Sequence, residues 1–106
     1  MNTVALLQGE GAKFAAQGLK AVSHPARLKI LCSLLAAELT VTEITRLTGL
    51  SQSGASQHLA KMVAAGMLTS RRSGTQIFYS APDLRYQKLI EALCSIYGGR
   101  TDGPLV

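Results

Sequence analysis

The sequence predicts a mainly α-helical fold with one small β-hairpin, and three features carry that prediction. Between Ser51 and Gly66 the residues Ala55, Leu59, Met62, Val63 and Gly66 recur at three- and four-residue spacing, one apolar stripe of a helix. A shorter helical stretch with Ile44 and Leu47 facing inward lies just before it, separated by a Gly49-containing turn of about three residues. After Gly66 the period changes to two, with Ile77 and Tyr79 alternating with Phe78 and Ser80. Helix, tight turn, helix and hairpin in that order make a winged helix-turn-helix. Five helices are expected in all.

Taken in order, residues 1–11 read as a flexible N-terminus, because Gly9 and Gly11 weaken any helix there. The winged domain spans 12–98, and 99–106 reads as a C-terminal tail. The first helix runs from Ala12 to Val22, with Phe14, Ala15, Leu19 and Val22 on its apolar side. At Ser23-His24-Pro25 the chain breaks and restarts: Ser23 or His24 caps, and Pro25 suits a first turn. The second helix is expected from Pro25 to Ala37, with Leu28, Leu31, Cys32 and Leu35 in its stripe, joined by Ile30 and Leu34. Glu38 to Val41 is a short extended link. Thr42 caps the third helix, and Glu43 in its first turn suits the helix dipole.

Ser51 caps the fourth helix and Gly66 stops it, since Gly takes the left-handed conformation at no steric cost. Strands are expected at Leu68–Arg72 and Gln76–Ser80, turning through Ser73, Gly74 and Thr75. Ala81-Pro82-Asp83 opens the last helix, which runs to about Tyr97. Its apolar residues Leu89, Leu93, Ile96 and Tyr97, broadened by Ile90, exceed what a small domain needs to close its own core. A homodimer joined through the first and last helices is therefore expected.

The formal charge is +5. Residues 1–40 carry net +2, residues 41–80 net +3, and the remainder is balanced. The excess lies around and before the fourth helix, which favours a polyanionic partner. No apolar run approaches the ~18–20 residues of a membrane span. The N-terminus lacks a signal-peptide pattern, so a cytoplasmic location without membrane contact is expected. The two cysteines form neither a disulfide framework nor a zinc-finger spacing. There is no Cys-His or Ser-His arrangement at a strand or loop site and no Gly-rich phosphate loop, so an enzyme is not expected, nor a cofactor.

The outward face of the fourth helix carries Gln52, Ser53, Ser56, Gln57 and Lys61. It is polar but almost uncharged. Amides and hydroxyls both donate and accept hydrogen bonds, which suits base edges in a major groove; a merely solvated face more often holds Glu and Lys. The hairpin tip adds Arg71, Arg72, Ser73, Thr75 and Gln76, placed to reach phosphates or an adjacent minor groove.

Three ordered blocks, Lys20 to Leu31, Leu50 to Met62 and Arg72 to Tyr79, closely resemble the ArsR-type winged-helix repressors, and the resemblance covers about residues 12–98. It implies a cytoplasmic homodimer on double-stranded operator DNA. It also implies that Gln52, Ser53, Ser56, Gln57 and His58 enter the major groove while Arg72 and Gln76 act from the wing. Gly54 departs from the alanine expected there, and a mid-helix Gly costs ~1 kcal/mol against Ala.

The family's soft-metal site uses paired cysteines where this chain has Thr40 and Thr42, and its zinc site uses Asp and His on a last helix that contains no His here. No metal ligands are therefore assigned. Cys32 on the second helix and Cys94 on the last instead resemble the family's dithiol branch, the BigR-like sensors of persulfides and related oxidants. The resemblance implies release from DNA when a reactive sulfur species or oxidant bridges the pair. In that branch the second cysteine directly follows the closing Tyr; here Gly98 stands in that place, and Cys94 lies four residues earlier, ~6 Å along a helix. The Ile96-Tyr97-Gly98 ending also resembles the family's nodulation-regulator branch. The alternatives are a regulator of this family without a thiol switch, a metal-responsive repressor, and a winged module that binds protein.

Overall fold

The computed structural model describes residues 2–99; Met1 and residues 100–106, hence nearly all of the expected tail, lie outside the described residues. The described elements are α1 (Thr3–Leu7), α2 (Gly11–Val22), α3 (Pro25–Ser33), β1 (Leu39–Thr40), α4 (Val41–Thr48), α5 (Gln52–Ala64), β2 (Thr69–Ser73), β3 (Gln76–Ser80) and α6 (Leu84–Tyr97). Six helices replace the expected five. The added one is α1, in a stretch expected to be flexible. Asn2 caps it by accepting the Ala5 N–H at 2.9 Å, and the glycines at 9 and 11 separate α1 from α2 rather than dissolving it.

Local chemistry sets most boundaries. His24 caps α3, its Nδ1 accepting the Ala26 N–H at 3.1 Å, and Pro25 occupies the first turn. Asp83 caps α6 by accepting the Arg85 N–H at 2.9 Å. The third of the expected helices, α4, starts earlier than expected, because its cap is Thr40 rather than Thr42. Thr40 Oγ1 accepts the Glu43 N–H at 3.3 Å while Glu43 accepts the Thr40 N–H at 3.0 Å, a reciprocal capping box. The Thr-Val-Thr-Glu spacing carries that signal, since the acid must lie three residues beyond the cap.

Two further corrections have tertiary causes. α3 ends at Ser33 rather than Ala37 although Leu and Ala favour helix. Residues 34–37 turn and bend so that the chain can extend into β1, which pairs antiparallel with β3 (Leu39 with Tyr79, Thr40 with Phe78). The expected hairpin is thus part of a three-stranded sheet ordered β1-β3-β2. β2 and β3 join through Gly74 and Thr75, with positive φ at Gly74 as a type II′ turn requires.

The core draws one or two residues from each of the helices α2 to α6: Val22 from α2, Ile30 and Leu31 from α3, Ile44 from α4, Leu59 and Met62 from α5, Ile90 from α6, with Met67 and Leu68 before the sheet. Leu47, expected inward, is 65 % exposed. α4 is short and turns only Ile44 fully into the core. Gly49, with φ +75, ends α4, and the chain turns directly into α5.

Candidate nucleic-acid interface and thiol pair

α5 is held by its buried stripe, Ala55, Leu59 and Met62, each no more than 1 % exposed. That fixes what it presents outward. Gln52, Ser53, Ser56, Gln57 and Lys61 are all exposed. Ser51 caps the helix as expected, its Oγ accepting the Gly54 N–H at 3.0 Å. A Cβ at Gly54 would stand 2.9 Å from that Oγ. The glycine therefore leaves room for the cap. Gly54→Ala gains helix propensity but crowds the capping hydroxyl, and each effect is worth about 1 kcal/mol. A net stability change within about 1 kcal/mol is expected in urea unfolding, against a gain of that full size if the cap is unaffected.

His58 lies elsewhere. It is half-buried, and its ring meets that of His24 at 4.8 Å between centroids. One residue from Leu59, it belongs to the flank of the helix nearest α3. Burial first, then the nearby charges of His24, Arg27 and Lys61, push its pKa down, which favours the neutral imidazole. The structure thus places His58 beside the cap of α3, apart from the exposed group of amides and hydroxyls on α5.

The sheet separates the two wing arginines. Arg71 opposes Phe78 and Arg72 opposes Ile77, so the side chains leave opposite faces. Arg71 Nε donates to both carboxylate oxygens of Glu38 at 3.0 and 2.9 Å, its Nη2 also bonds that carboxylate, and its guanidinium carbon stands 4.7 Å above the Phe78 ring. The bonded guanidinium holds the Glu38 carboxyl below its ordinary range. Arg72 is exposed and has no ion pair among the described residues. Gln76 and Thr75, also exposed, line a groove shared with Ser56 of α5 and Thr42 of α4. Amide and hydroxyl groups from helix and wing therefore border one concave surface.

Cys32 of α3 and Cys94 of α6 meet with 4.0 Å between their sulfurs. Both residues are exposed. Cys32 was expected within the apolar stripe of its helix; instead Ile30, Leu31 and Leu34 take the core and Cys32 faces α6 at its edge. Partial burial, then the neighbouring Cys94 thiol, raises the Cys32 pKa. At Gly98 a Cβ would stand only 2.4 Å from the Cys94 carbonyl oxygen, so this helix ending has no room for a side chain at 98. Among the described residues no three His, Cys, Asp or Glu side chains converge to hold a metal ion, and no helix is long and apolar enough to cross a membrane.

A second apolar feature lies between α2 and α6. Phe14, Leu19, Tyr86 and Leu89 line an open groove together with Arg85. Phe14 is 60 % and Leu19 53 % exposed. Only Val22 of α2 is buried, so most of that helix's apolar side is uncovered within one chain.

A capped helix-turn-helix whose second helix shows an amide-rich face, flanked by a two-stranded wing, defines a winged helix-turn-helix protein of the regulatory class. Residues 24–70 match the family described as bacterial regulatory protein, arsR family. The chain belongs to the arsR family of regulatory proteins. It is 44 % identical to the HTH-type transcriptional regulator YgaV of Escherichia coli K12, over 92 % of this chain and 98 % of that one. The crystal structure of the transcriptional repressor BigR from Xylella fastidiosa superposes with a TM-score of 0.77 at 34 % identity, covering 84 % of this chain and 91 % of that one. The reduced form of HlyU from Vibrio cholerae superposes with a TM-score of 0.74 at 33 % identity, covering 92 % and 98 %.

Proposed function

We propose that the protein is a dimeric transcriptional repressor that reads double-stranded operator DNA with α5 and the wing and lets go when Cys32 and Cys94 are oxidised. Operator reading is supported by the exposed Gln52, Ser53, Ser56 and Gln57 on a helix locked from behind by Leu59 and Met62. Dimerisation is supported by the uncovered apolar groove between α2 and α6, which a second copy would close. Two recognition helices must then meet half-sites about one helical turn, ~34 Å, apart.

The observation that carries the switch is the 4.0 Å separation of two exposed thiols on different helices. A thiolate attacks the outer sulfur of a persulfide RSSH, RSH leaves, and the second thiol displaces hydrogen sulfide to close a disulfide. Two thiols and one RSSH thus give the disulfide, RSH and hydrogen sulfide. With a second RSSH one sulfur stays in the bridge. A direct disulfide at ~2.05 Å requires the sulfurs to close by about 2 Å. Two such bonds in series span ~3.3 Å, so a trisulfide fits with less movement. The bridge ties α3 to α6, beside the groove assigned to the dimer, and so biases the spacing of the recognition helices. The raised Cys32 pKa lowers its thiolate fraction, and the greater nucleophilicity of the thiolate that remains partly offsets this.

The test is intact-mass spectrometry after treating reduced protein with an organic persulfide and, separately, with oxidised glutathione, with DNA release read on the same samples. Loss of both thiols to alkylation together with weaker DNA binding is expected, and Cys32→Ser or Cys94→Ser abolishes both. Unchanged mass and unchanged DNA binding would leave a regulator of this family without a thiol switch.

A further inference from the structure

We propose that the neighbouring arginines of the wing have opposite roles: Arg72 contacts DNA phosphate, while Arg71 is a positioning residue that binds no DNA and holds the wing to the start of the helix-turn-helix. This rests on the DNA-binding reading above and assigns the wing's part in it.

The register requires the division. Residues directly opposed across an antiparallel sheet share a face. Thr40, Phe78 and Arg71 form one such row, and Glu38, two residues before Thr40, lies on the same side. On this face the Arg71 guanidinium lies over the half-buried Phe78 ring and is forked onto the Glu38 carboxylate. Its fixed donor geometry is already used, and the pair carries no net charge. Leu39, Tyr79 and Ile77 occupy the other face with Arg72. Leu39 and Tyr79 pack on the core, so this face of the sheet turns toward the helices. Arg72 therefore leaves the wing on the recognition-helix side with its charge uncommitted.

The latch also has a place to act. Glu38 precedes Thr40, the residue that caps α4 through its reciprocal bonds with Glu43. Arg71 thus connects the outer strand of the wing, across Phe78 of the middle strand, to the segment that begins the helix-turn-helix. An Arg71 free to reach phosphate would give up both the carboxylate fork and the ring. It would then leave Glu38 negative beside DNA.

Salt dependence separates the roles, because each phosphate neutralised by a free cation contributes about 0.9 to the slope of log K against log salt. A neutral Glu38–Arg71 pair contributes nothing. The probe is a fluorescein-labelled duplex of about three helical turns in two forms, random sequence and a site selected with the wild-type protein from a random pool. Arg72→Gln is expected to lower the slope by about 0.9 per protomer on both duplexes. The charge-neutral double variant Glu38→Gln/Arg71→Gln leaves the slope unchanged and weakens only the selected site, severalfold, because the wing is held less firmly. An unchanged slope for Arg72→Gln, or a slope lost equally in the double variant, overturns the assignment.

Arginine Nε–Hε resonances of the free protein judge the latch without DNA. The Arg71 proton is expected to exchange slowly with water and to lose that protection in Glu38→Gln, while the Arg72 proton exchanges fast in both. Equal exchange at Arg71 and Arg72 overturns the latch. If the wild-type protein binds neither duplex, the DNA reading fails and Arg72 loses its role with it, whereas the proton exchange still decides whether Arg71 is held.

Discussion

Leu59→Ala lowers the unfolding free energy by about 2–5 kcal/mol, the cost of deleting a fully buried leucine and leaving the space behind it. Leu59 is 0 % exposed and packs in the one core that all the main helices share. A domain of this size holds about 5–15 kcal/mol in total, so this single change removes a large part of it. With a shift of about 4–8 °C per kcal/mol, the thermal midpoint falls by roughly 10–40 °C. Urea unfolding measures the change directly, with an unaltered m value showing that the folded state is otherwise intact. A loss below about 1 kcal/mol would mean that α5 is not anchored by this residue, and the outward aim of Gln52, Ser53, Ser56 and Gln57 would lose its physical basis.

The second large effect concerns the groove between α2 and α6. Phe14→Glu places a charge on an apolar surface that one chain leaves open. Because Phe14 is 60 % exposed in the single chain, the fold has little to lose, and far-ultraviolet circular dichroism stays as in the wild type. Burying an unpaired carboxylate between two copies is costly, so the proposed dimer is expected to dissociate. Sedimentation equilibrium reads the mass. Affinity for a selected two-half-site duplex falls by about 10²–10⁴, because the second half-site no longer benefits from linkage to the first. A variant that stays dimeric and binds as the wild type places the dimer contact on another face.

The sequence made the helix-turn-helix legible because its signals are local. Ser51 caps the helix it was expected to cap, Asp83 stands at the start of the helix it was expected to open, and Gly49 turns the corner with a left-handed φ. The stripe Ala55, Leu59 and Met62 needs only the helical period to declare which side faces inward, and hence which residues face out. The reciprocal cap at Thr40 was equally local and readable from Thr40 and Glu43.

What the sequence could not give depended on partners distant along the chain. The strand at Leu39–Thr40 exists only because β3 pairs with it, and two residues carry no period. The same pairing cut α3 short of Ala37 and brought Glu38 within reach of Arg71, so two adjacent arginines that look alike in sequence differ in charge commitment. His58 turned toward His24 through the packing of α5 on α3.

The two cysteines show the division most plainly. Their identities and the helices that carry them are fixed by the sequence itself. Spacing of sixty-two residues along a chain says nothing of distance. The packing of α6 on α3 brought the sulfurs to 4.0 Å and left both residues at the surface. Local hydrogen bonding and helical period are written residue by residue, and the sequence alone determined α5 and its outward face by them. Contact between separate elements is decided by how all their apolar faces close on one core, and only the tertiary structure could decide that.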